Sequence, residues 1–140
     1  MLENSELTDA IQKLNELIPL VQDHRYDDDQ KKHYDLIQEA FGFEEHVPTS
    51  WAIQSWRGSD MNAAKELHNY LMPGMKQFSI ETDPTCLRVQ VCWWPDGLSA
   101  GVEHQGEGWG HVDCESQAWL IALIKVRISY LEAQREKQAA

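Results

Sequence analysis

The chain has 140 residues, 42% of them hydrophobic, 25% charged and 9% aromatic, with 8 glycines and 5 prolines. That is the make-up of one globular domain able to bury a real core, and it excludes a disulfide mini-protein, a collagen-like chain and a disordered tail. The formal charge of −11, from 23 acidic and 12 basic side chains, argues against direct nucleic-acid binding, because Lys and Arg carry phosphate contacts.

Residues 1–50 hold 12 acidic and 4 basic side chains, so the surplus sits in the first third. Such a surface keeps a protein dispersed and also steers cationic partners toward it. Three cysteines, an odd number, do not build a disulfide framework. The N-terminus lacks the basic and apolar regions of a secretory signal, and no apolar run reaches the ~18–20 residues of a membrane span. A cytoplasmic protein that does not bind membranes is the expectation.

In chain order, Leu7, Ala10, Ile11, Leu14, Leu17, Ile18 and Val21 mark an amphipathic helix with Asn4 or Ser5 as cap, which Pro19 should end or kink. Asp27, Asp28 and Asp29 suit the start of a second helix, carried by Tyr34, Ile37, Ala40 and Phe41 and stopped by Gly42. The pair predicts a helical hairpin. Residues 43–58 show no clean period, and Phe43, Trp51, Ile53 and Trp56 predict an irregular segment packed on the core.

Ser59 can cap a third helix with Ala63, Ala64, Leu67, Tyr70 and Leu71 inward, closed by Pro73 and Gly74. The period then changes to two. Phe78 and Ile80 mark a strand ended by Asp83 and Pro84, and Leu87, Val89, Val91 and Trp93 mark a central one. Pro95-Asp96-Gly97 predicts a turn into a third strand from Leu98 to His104. A glycine-rich loop, 105–110, leads to a final helix capped by Asp113, apolar from Ala118 to Leu131 and polar enough beyond to fray.

Spacing along the chain limits the candidate sites. Cys86, Cys92, His104, His111, Asp113 and Cys114 are metal-ligand types, but Cys86 and Cys92 on one strand lie ~20 Å apart, too far to share an ion. His111 and Cys114 near a helix start, with His104 if the loop folds back, are what remains. Cys114 there gains thiolate character from the helix dipole, opposed by Asp113 and Glu115. The Gly106-Glu107-Gly108-Trp109-Gly110 stretch lacks the lysine of a phosphate loop and carries an acid, so its glycines read as a close crossing. No cofactor, metal or catalytic residue is expected. Of six tryptophans, Trp93 and Trp119 read as core; Trp51, Trp56, Trp94 and Trp109 suit an interface.

Ser59-Asp60-Met61-Asn62-Ala63-Ala64 opens one helix, and Pro73-Gly74-Met75 closes it. Three short strands follow, and Gln117-Ala118-Trp119-Leu120-Ile121-Ala122-Leu123-Ile124-Lys125-Val126-Arg127 opens the last helix. Over about residues 59–132 this order resembles the phage ABA sandwich domain family, small phage or prophage proteins without an established activity. The resemblance implies a helix, three antiparallel strands and a helix in layers. The fold expected is therefore α+β, one domain over 1–140. A helical portion, 1–58, precedes an α-β-β-β-α sandwich, 59–140, with its three-stranded antiparallel sheet packed by flanking helices.

The function expected is non-enzymatic protein binding, in a phage accessory protein acting on a host factor, offering negative charge to a basic groove as a defence inhibitor would. Asp27, Asp28, Asp29, Glu44 and Glu45 supply charge, with Trp51 and Trp56 as anchors. The alternatives are a small enzyme or metal- or ligand-binding protein using His104, His111, Asp113 and Cys114, and a homo-oligomeric structural protein such as a homodimer.

Overall fold

A computed structural model describes residues 2–23, 25–27, 31–58 and 60–139. The protein is α+β: helices α1 (Asn4–Asp23), α2 (Lys31–Phe41), α3 (His46–Trp56) and α4 (Met61–Leu71) precede strands β1 (Met75–Thr82), β2 (Cys86–Trp94) and β3 (His104–His111), and α5 (Glu115–Ala139) closes the chain. The sheet is antiparallel in the order β1-β2-β3. No helix among the described residues is long and apolar enough to cross a membrane.

α1 buries Leu7, Ile11, Leu14, Leu17 and Val21 as its stripe requires, but Pro19 neither ends nor interrupts it. Pro19 lies on the exposed side, where water can satisfy the carbonyl that lacks an amide partner. Glu6, rather than Asn4 or Ser5, serves the start of this helix: its carboxylate accepts the Glu3 N–H at 3.4 Å. α2 packs against α1 through Ile37, Ala40 and Phe41, giving the hairpin. Gly42, at φ 73, turns the chain out, and the Phe43 N–H closes on the Gln38 carbonyl at 2.9 Å.

The segment expected to be irregular is largely helix α3. Its buried face contains Thr49 and Ser55 beside Ala52, Ile53 and Trp56, which breaks the apolar period. Both hydroxyls are satisfied within the helix, on the carbonyls of Glu45 (3.1 Å) and Trp51 (2.8 Å). Pro48 falls in the first turn, where no amide bond is lost. α4 begins at Met61 with the Asp60 carboxylate accepting the Ala63 N–H at 3.0 Å. The expected cap Ser59 lies outside the described residues, as do Asp28 and Asp29.

β3 is not where the alternation suggested. A short 3-10 turn occupies Leu98–Ala100, and the strand runs through the glycine-rich stretch instead. Gly106, Gly108 and Gly110 share parity with His104 and pair with Val91, Val89 and Leu87 of β2, so they lie on the same face of the sheet as those residues and Trp93. α5 crosses directly on them: a Cβ on Gly108 would sit 1.8 Å from the Ala118 carbonyl oxygen, and one on Gly106 2.4 Å from that of Ala122.

α5 is the axis of the core. Ala118 through Ile124, with Val126, are buried all round, because β2 and β3 cover one side and α1, α3 and α4 the other. Its polar end, expected to fray, is helical to Ala139, and Gln138 donates to the Leu2 carbonyl at 2.7 Å. The Gln117 side-chain amide likewise donates to the Val21 carbonyl, pinning the end of α1. The opposite face of the sheet carries Arg88, Gln90, Cys92 and Trp94 of β2 and Trp109 of β3, half-buried or exposed.

Candidate functional site

The predicted binding residues separate along α3. At its start, Glu44 and Glu45 are exposed, and Glu45 occupies the N-cap position. Val47, 55% exposed, is one turn before the half-buried Trp51 and on the same side of the helix. The Trp51 ring meets the edge of Tyr70 from α4 at 5.9 Å, and Phe43 meets the same tyrosine at 5.8 Å. Tyr70, expected to face inward, is 52% exposed; it sits at the margin of the α4 stripe, between buried Leu67 and Leu71. The Tyr34 hydroxyl and His46 Nδ1, 2.8 Å apart, tie α2 to the first residue of α3 and hold this corner in place. The result is a surface of Val47, Trp51 and Tyr70 beside two carboxylates.

Trp56, expected as a second anchor, is a core residue at 1% exposure. It packs between the rings of Tyr26 (5.3 Å) and His33 (5.0 Å) at the far end of α3. Five residues beyond Trp51, Trp56 lies ~7.5 Å further along the axis and about 140° round the helix, so it does not share the surface made by Trp51. Asp27, one residue after Tyr26 and half-buried, belongs to that far end.

The candidate reactive residues do not converge. His104 opens β3 and His111 ends it, ~23 Å away along the strand. His104 is buried beneath Tyr130, shares a 2.8 Å hydrogen bond with Ser129 Oγ, and is held below its usual pKa mainly by burial and then by the Lys137 charge. His111 and Asp113 approach to 3.7 Å but are both largely exposed. Cys114 is half-buried against Gly58. Cys92 is pushed up to about 11 by burial and then by Glu103, which makes it a poor thiolate. Among the described residues no group of three or more His, Cys, Asp or Glu side chains is arranged to hold a metal ion.

Trp93 and Trp119 are core, as expected: the Trp93 indole N–H donates to the Pro73 carbonyl at 3.0 Å, and Trp119 stacks on Phe78 at 4.0 Å. Trp94 is half-buried on the open sheet face; Trp109 on that face is 52% exposed under the Arg88 guanidinium, which pairs with Glu81 at 2.7 Å. Two functional candidates escaped the sequence reading. Tyr70 was hidden at the edge of an apolar stripe, and Arg127 stands just beyond the buried stretch Ala118–Ile124 of α5, where no local pattern marks it. Comparison of the chain with protein-family models, with curated proteins and with solved structures gave no match.

Proposed function

We propose that the protein is a non-enzymatic binding module that holds a protein partner with a basic surface at the Val47, Trp51 and Tyr70 corner. The observation that carries this reading is the meeting of exposed Val47 and Tyr70 and half-buried Trp51, on α3 and α4, with exposed Glu44 and Glu45 at the entry to α3. Trp and Tyr supply contact area at little entropic cost and recur at the centres of interfaces. Carboxylates beside them select a cationic partner and raise the rate of encounter, within a first third that is itself strongly acidic. On the resemblance to phage ABA sandwich proteins, the partner we propose is a host factor whose basic groove this surface occupies.

The test is capture from host extract with the wild-type chain, Glu44→Lys/Glu45→Lys, Trp51→Ala/Tyr70→Ala and the remote control Glu132→Lys. A basic protein held by wild type and control, weakened at least about tenfold (~1.4 kcal/mol) in both corner variants and by added salt, is the expected result. Equal capture by all four chains overturns the proposal.

A further inference from the structure

A cavity of about 240 Å³ lies between α1, the end of α2 and α5. Leu2, Ala10, Phe41 and Leu131 give it apolar walls, and Arg127 projects from α5 beside Leu131. The Arg127 Nε is sealed from water and has no hydrogen-bond partner. Its guanidinium carbon lies 5.6 Å from the Tyr130 ring centroid, a contact with one face of the cation only. The three acids that line the cavity are engaged elsewhere: Asp9 and Glu39 pair with Lys13, at 3.1 and 3.2 Å, and Glu6 accepts the Glu3 N–H at 3.4 Å.

Arg127 is half-buried, its Nε is withdrawn from water without an acceptor, and no carboxylate among the described residues pairs with it, a costly arrangement in a chain with eleven surplus negative charges. Its planar fork is built to grip a carboxylate through two parallel hydrogen bonds. The apolar walls suit a short hydrocarbon tail rather than a sugar. Glu6, Asp9 and Glu39 in the lining repel anything with several negative charges, which disfavours phosphate esters.

From these observations we infer that the cavity binds a small organic monocarboxylate, its carboxylate on the Arg127 guanidinium and its apolar tail against Ala10, Phe41 and Leu131. The inference is independent of the protein-binding corner on α3 and α4.

The test titrates the full chain with hexanoate, 1-hexanol and inorganic phosphate, followed by two-dimensional ¹H–¹⁵N NMR. Hexanoate is expected to give saturable shifts at Ala10, Phe41, Gly42, Leu131 and the Arg127 Nε–H, with a Kd of ~0.1–1 mM. Hexanol, equal in length but uncharged, binds at least about tenfold more weakly, and phosphate leaves these signals unmoved. Arg127→Met removes the response to hexanoate, and Arg127→Lys weakens it. Absence of saturable shifts in the wild-type chain, equal binding of hexanol, or an undiminished response in Arg127→Met overturns the inference. If Arg127→Met does not fold, hexanoate against hexanol on the wild-type chain still decides.

Discussion

His68 carries the clearest electrostatic consequence of burial in this molecule. It is 4% exposed, and its Nδ1 accepts the Trp119 indole N–H at 3.2 Å, so the neutral ring holds its proton on Nε2, which has no partner. Burial first, and the Lys76 charge second, lower its pKa to about 4. The unfolded chain protonates this histidine near its ordinary 6.5, whereas the folded chain resists until about pH 4. Its contribution is therefore complete above pH 6.5 and is lost progressively as pH falls toward 4, by about 3 kcal/mol at most. His104, lowered in the same direction, adds a contribution of the same sign. Urea unfolding between pH 7.5 and 4 is expected to show this decline, and His68→Gln, whose carbonyl can still accept from Trp119, to show a shallower one. An unchanged slope in the variant would rule the assignment out. The same scale explains two misplaced aromatics: Trp56 and Tyr70 each end a turn of helix, and only the neighbours from other elements bury one and expose the other.

At the scale of elements, the contact of α5 with β3 determines what each can be. Ala118, Ala122 and Val126, four apart, form the side of α5 that lies on Gly106, Gly108 and Gly110, two apart. The helix thus approaches the backbone of the sheet itself. A methyl group should cost in proportion to the space available: Gly108→Ala about 3 kcal/mol or more, and Gly110→Ala, whose Cβ would lie 3.3 Å from that of Ala118, under about 1 kcal/mol. Chemical denaturation of the two variants measures the difference, and equal costs would mean that the glycines serve chain flexibility instead. This strand was the element least legible beforehand, because glycine signals loops and carries no hydrophobic alternation. Its period of two was present, in residues whose importance lies in having no side chain. α3 was hidden for a related reason, since Thr49 and Ser55 occupy core positions by hydrogen-bonding to their own helix.

The molecule as a whole carries −11 on 140 residues, and folding brings those charges together. Self-repulsion of this kind is screened over ~10 Å at 0.1 M salt. Raising NaCl from 10 mM to 0.5 M is therefore expected to stabilise the fold by ~1–2 kcal/mol, read as a higher urea midpoint; a lower midpoint would show that local pairs such as Arg88 with Glu81 and Lys13 with Asp9 outweigh the net repulsion. The same surplus underlies the proposed preference for a basic partner, and it makes the unpaired Arg127 conspicuous.

Apolar spacing by itself determined the class of fold, the helical hairpin, the strands at 75–82 and 86–94 and the buried final helix. Those features follow from periods of 3.6 and 2 that the chain carries locally. Tertiary structure alone decided the position of β3, the separation of Trp51 from Trp56, the failure of His104 to meet His111 and the isolation of Arg127 in its cavity. Each of these depends on which surfaces of distant segments come to lie against one another, and no spacing along the chain records that choice.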